Sequence, residues 1–136
     1  IAYIFRNAKS FGVSTEDYLI LGGSAGARMA GNIALKGVSF YGGDNVSKPA
    51  AVVLAYTGQA SYSSDFPPAY ITVAANDRIV NVDLVEKRVV NLRNAGVDVE
   101  YHKYQSAGHG FGLGTGTDAD GWLDLAVSFW QRYIQE

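Results

Sequence analysis

Between the apolar run Asp17-Tyr18-Leu19-Ile20-Leu21 and a stretch of small residues, Ala25-Gly26-Ala27-Arg28-Met29-Ala30, stands the pentapeptide Gly22-Gly23-Ser24-Ala25-Gly26. A G-x-S-x-G at a strand-to-helix junction leaves few backbones open. The apolar run reads as a short buried strand and the small residues as the start of a helix. The turn joining them must be sharp, and the flanking glycines are needed where strand and helix come too close for side chains. Such a turn lifts the Ser24 hydroxyl clear of the backbone. A serine hydroxyl alone is a weak nucleophile, so the chain must supply a base and an acid elsewhere.

The sequence has two histidines, His102 and His109. His102 lies inside Val97–Tyr104, which alternates like a strand, and reads as a half-exposed strand position. His109 lies in Ala107-Gly108-His109-Gly110-Phe111-Gly112, just past that strand. Flanking glycines keep that backbone free, and a loop after a strand is a sound mount for a general base. The acid candidate is Asp77, which follows the apolar run Tyr70–Ala75. A carboxylate at the C-terminal end of a buried parallel strand shares its sheet edge with Ser24 and His109, the edge that carries chemistry in open α/β sheets. An isolated Asn76-Asp77 would read as a turn. What favours the acid is the chain order Ser24, Asp77, His109. Between the last two, Val82, Val85, Val89 and Leu92 space out a helix that Gly96 ends, and the strand 97–104 follows, one parallel crossover step.

With these residues in place the chain resembles the α/β-hydrolase superfamily, and within it small esterases and lipases similar to acetyl esterases and carbohydrate esterases. The resemblance is carried by Gly12–Tyr18 leading into Leu21–Ala27, by Ala75–Val80 and by Gly108–Gly112, which together span nearly the whole chain. It implies Ser24 as nucleophile, Asp77 as acid and His109 as base, with the Ala25 amide donating to the oxyanion from the turn it shares with Gly23. It also implies a serine esterase acting through an acyl-enzyme, with short-chain acyl esters, acetylated sugars among them, as the small-molecule substrates. Such a triad needs no metal or organic cofactor.

The departure from the family is at the N-terminus. Members carry an upstream half-sheet and usually a His-Gly-Gly-Gly-like loop that gives a second oxyanion N–H, and no such motif occurs in the chain. The amphipathic run Ile1, Ile4, Phe5, Ala8, Phe11 looks like the helix before the nucleophile strand. The expectation is therefore a single domain over 1–136 that lacks the N-terminal half-sheet, a piece of a longer chain by cloning, gene truncation or processing. Two consequences are expected. Strand 17–21 has an open apolar edge that invites pairing with another copy, giving a homo-oligomer. One oxyanion donor is missing or must be improvised, and since the loss of one donor costs about 10²–10³ in turnover, activity is expected to be weak but not necessarily absent.

Hydrophobic content of 48% supports a globular core of a single domain. A net charge of −2 without any Lys/Arg cluster argues against nucleic acid and anionic membranes as partners. The absence of cysteine excludes disulfides and thiolate metal sites, and no apolar run approaches membrane-spanning length. The expected architecture is α/β, a mostly parallel sheet of about four strands flanked by helices. Strands are placed near 17–21, 51–55, 69–75 and 97–104, and helices near 1–11, 25–35, 83–95 and 118–134. Trp122, Leu125, Ala126, Phe129, Trp130, Tyr133 and Ile134 give the last helix one wide apolar face, with Thr117-x-x-Asp120 as its capping signal. Gly37 to Lys48 reads as a surface loop. The segment 56–68 replaces a crossover helix, and its Tyr62 and Phe66, with Phe111, are candidate pocket walls.

Two other functions compete. An inert hydrolase-fold fragment would serve as an interaction or assembly domain. A phosphate binder would cradle an anion on the glycine-rich turn, but no G-x-x-x-x-G-K-[ST] or G-x-G-x-x-G accompanies it.

Overall fold

Uninterrupted burial along Ala51–Ala55 and Ala69–Ala74 requires strands covered on both faces. The computed structural model, which describes residues 1–58 and 61–134, builds such a sheet. In chain order the elements are α1 (Ala2–Arg6), α2 (Ala8–Phe11), β1 (Leu19–Gly23), α3 (Ala25–Lys36), β2 (Ala51–Ala55), β3 (Ala69–Ala74), α4 (Val82–Asn94), β4 (Val99–Tyr104) and α5 (Trp122–Gln131). The strands lie in the order β1-β2-β3-β4 and every pairing is parallel. All four carboxyl ends therefore face one side, and the loops that leave them meet there.

Side chains alternate across a strand with period two, and this sorts the core into two layers. Val52, Leu54, Ile71 and Val73 pack with Ala27, Ala30 and Ala34 of α3 and with Val85, Val89 and Leu92 of α4. Ala51, Val53, Ala55 and Tyr70 belong to the opposite layer, with Trp122, Ala126 and Phe129 of α5. The buried face of α3 is made of Ala27, Ala30, Gly31 and Ala34, residues small enough to bring the helix close to the sheet. Helix α4 is closed at both ends. Asn81 Oδ1 accepts the Asp83 amide at 3.0 Å. At the other end Val97 N–H bonds Leu92 O and Gly96 N–H bonds Arg93 O, each at 3.0 Å, with Gly96 at φ 86°, a Schellman closure.

Three local expectations need correction. The helix expected over 1–11 is broken at Asn7 (φ −109°, ψ 11°), whose side-chain amide donates to Tyr3 O at 2.8 Å and competes with the helical ladder. The last helix starts at Trp122 rather than near 118, behind Gly121 at φ 84°. Thr117 does not cap it: its hydroxyl donates to Gly114 O at 2.7 Å and accepts from the Ala119 amide, so the signal closes a local turn instead. The loop 37–48 carries one short 3-10 turn, Ser39–Tyr41. Between β2 and β3 no helix occurs among the described residues, as expected for 56–68, of which 59–60 lie outside them.

Strand β1 has one partner strand among the described residues, and Leu21 is 45% exposed. Tyr18 is not part of an open edge, because it precedes β1 and its hydroxyl donates to Ser47 O at 2.6 Å. The Trp130 indole N–H donates to Asp17 O at 2.7 Å, tying α5 to the root of β1. Among the described residues no helix is long and apolar enough to cross a membrane.

Candidate active site

Ser24 follows β1 directly and has φ 52° and ψ −117°, a left-handed φ that a residue with a Cβ rarely adopts. Strain of this kind costs about 1–3 kcal/mol and persists where neighbours over-determine the backbone. They do so here. The Ser24 amide donates to Ala55 O at 2.9 Å, and Ser24 O accepts the Arg28 amide at 3.1 Å. The glycines divide the remaining work. A Cβ on Gly22 would lie 2.3 Å from the Gly26 carbonyl carbon and oxygen, so strand and helix do close on each other there. A Cβ on Gly26 would meet nothing within 4 Å, so the close approach lies at Gly22 alone. At Gly23 the obstacle is the side chain of Tyr56, whose Oη would be 2.6 Å from such a Cβ; Gly23 supplies room.

His109 must come a long way to meet Ser24. Its loop leaves β4, three strands from β1, and must cross roughly 14 Å at an inter-strand spacing near 4.8 Å. It is held on the way. Asp118 accepts the amides of Gln105 and Ser106 at the root of the loop. Asn76 Oδ1, just after β3, accepts the Gly108 amide at 2.8 Å. Trp122 donates its indole N–H to Gly112 O at 2.7 Å on the far side. His109 Nε2 then lies 2.9 Å from Ser24 Oγ, and Nδ1 lies 2.8 Å from Asp77 Oδ2.

The Asp77 side chain has no exposed surface. Its Oδ1 accepts the amides of Ile79 and Val80, each at 2.8 Å, which leaves Oδ2 for His109. Burial is the largest single influence on its pKa and pushes it up. The amide bond from Val80, the bond from His109 and the amide of Ile79 together outweigh burial, and the carboxyl is held below its usual range. The three residues form one line of hydrogen bonds, with a charged, fixed carboxylate at its end.

A cavity of about 460 Å³ opens beside Ser24. Ala25, Tyr56 and Thr57 line it on one side, and Ile79, Val80 and Leu84 give it an apolar wall. Among the described residues, Arg28 is the single charged one lining it. The candidate pocket walls lie elsewhere. Phe66 is 4% exposed and belongs to the core layer under α3 and α4. Tyr62 is 40% exposed, and neither it nor Phe111 is among the lining residues. Phe111 packs instead against Tyr56, Tyr104 and Trp122. His102 sits in β4 as expected, beside Glu100 and stacked on Tyr70. Sequence reasoning missed Tyr56, Asn76 in its tethering role and Asp118. For Asn76 the signal was its place beside Asp77; Tyr56 and Asp118 had none.

A parallel sheet in sequential order, with a strained serine between strand and helix at its carboxyl edge, defines an α/β-hydrolase fold. The dienelactone hydrolase family model matches residues 5–130, and the chain belongs to that family. Three solved structures show the likeness in fold. An alpha/beta hydrolase enzyme from a Medee basin deep-sea metagenome library superposes with a TM-score of 0.75 at 24% identity, over 96% of this chain and 60% of its own. An acetyl ester-xyloside bifunctional hydrolase from Caldicellulosiruptor lactoaceticus gives 0.80 at 18%, over 98% and 64%. A carboxylesterase from Lactobacillus plantarum gives 0.78 at 20%, over 99% and 66%. The chain thus spans less than two thirds of the length of each. No curated protein matches it significantly.

Proposed function

We propose that this chain carries the catalytic apparatus of a serine carboxylic-ester hydrolase for short-chain acyl esters. The observation that carries the reading is the unbroken line from Ser24 Oγ through His109 to Asp77, at 2.9 and 2.8 Å. His109 Nε2 takes the Ser24 proton as Oγ attacks the ester carbonyl. The Ala25 amide, at the first turn of α3, stabilises the oxyanion with help from the helix dipole. Asp77 keeps the His109 proton on Nδ1 and stabilises the imidazolium. His109 then protonates the departing alcohol, and water hydrolyses the acyl-enzyme by the reverse path. The apolar wall of Ile79, Val80 and Leu84 beside Ala25 suits a small acyl group.

The test is to trap the intermediate. Acid quenching during p-nitrophenyl acetate turnover, followed by peptide mapping, should find the acetyl group on Ser24. Acetylation spread over lysines, with none on Ser24, would sink the reading.

A further inference from the structure

We propose that Tyr56 is the positioning residue that keeps the His109 imidazole facing Ser24. This rests on the triad reading above. Two hydrogen bonds at Nδ1 and Nε2 define a line, and the Cβ–Cγ bond joins the ring to its loop off that line, so the ring's plane is only as fixed as the loop that carries it. A packing contact from a fixed strand holds the ring and its loop together. Among the described residues, Tyr56 is the one aromatic ring packed on the imidazole, with centroids 5.2 Å apart at 68°.

The fold puts Tyr56 there at a cost. It follows β2 directly, its φ is 42°, and its amide donates to Thr72 O at 2.7 Å. A left-handed, non-glycine residue at the end of a buried strand is strained, and strain of this kind collects where it aims a side chain. The aim is visible on both sides of the ring. Towards β1, the ring occupies the space a Gly23 Cβ would take, with Cε2 and Cζ each 2.9 Å from that point. Towards the histidine loop, it packs edge-on with Phe111 at 4.8 Å, and Phe111 is braced in turn by Trp122 at 5.8 Å. The ring is thus wedged between the nucleophile strand and the base loop, and it sets their separation. Asn76 anchors that loop from β3, and Tyr56 does so from β2.

The experiment compares this chain with its Tyr56→Leu and Tyr56→Phe variants. Ser24 modification by a serine-directed fluorophosphonate is followed by intact mass, and the His109 ring protons by NMR. Tyr56→Leu should lower the limiting modification rate by about 10²-fold, the effect of a misplacement near 1 Å. The His109 ring protons should lose their aromatic ring-current shift. Tyr56→Phe, which keeps the ring, should retain the wild-type rate and shifts. A general loss of structure would instead reduce the fraction of protein modified. Should Tyr56→Leu fail to fold, Phe111→Leu loosens the same wedge from its other side and should also slow modification. Wild-type rates in the leucine variants would overturn the proposal, as would an equal loss in Tyr56→Phe. A wild-type chain that is never modified would strike the triad reading itself, and the proposal with it.

Discussion

Asp77→Asn changes one atom and should nearly abolish turnover. The structure fixes how the new amide must sit. The wild-type Oδ1 accepts two backbone amides, from Ile79 and Val80, so the asparagine oxygen must take that place. Its NH₂ then faces His109 Nδ1, 2.8 Å away in the wild type. An NH₂ donates, so Nδ1 must accept, and the ring proton moves to Nε2. The imidazole then meets Ser24 with a donor where it needs an acceptor. The same swap in a serine protease triad lowers kcat about 10⁴-fold, which is about 5.4 kcal/mol of barrier at about 1.36 kcal/mol per decade. Stability should change far less, because both amide bonds survive. The assay is steady-state hydrolysis of p-nitrophenyl acetate, with a urea melt to show that the variant is folded. A folded variant within tenfold of wild type would refute the tautomer argument.

Other outcomes follow from the same contacts. Gly22→Ala places a methyl 2.3 Å from backbone atoms of Gly26 that cannot give way, and should cost on the order of 3 kcal/mol in urea denaturation. A change under 1 kcal/mol would mean that strand and helix part easily. Because the folded Asp77 carboxyl titrates below its unfolded value, it binds fewer protons folded than unfolded. Its contribution is fully present above about pH 4 and is lost as the pH falls through the folded value. Acid titration of unfolding free energy should therefore be flatter for Asp77→Asn than for wild type, and identical slopes would contradict this. Among the described residues β1 has one partner strand and leaves Leu21 exposed, and in this chain as it stands that edge should pair with a second copy. Light scattering should report a dimer or larger at micromolar concentration, and a monomer throughout would remove the idea.

Much of the fold was legible because local and global signals agreed. The alternating or continuous apolar runs at β1 to β4, the spacing of Val82 to Leu92 and the stop at Gly96 each have a local physical cause. That Ser24, Asp77 and His109 would come together was legible from chain order, since the ends of parallel strands share one edge of the sheet. What failed was reading the direction of a side chain from its composition. Phe66 is as apolar as any pocket wall, but it turns into the core beneath α3 and α4. Tyr56 packs on the histidine loop from a left-handed backbone, a conformation that tyrosine does not advertise. Thr117 and Asp120 have capping spacing, yet Thr117 closes a turn and Asp118 tethers the loop, because Gly121 delays the helix.

The most direct test of the central claim is the hydrolysis rate of p-nitrophenyl acetate by this chain beside its Ser24→Ala variant. The assembled line of Ser24, His109 and Asp77 predicts turnover that the variant loses. Equal rates for the two would contradict it.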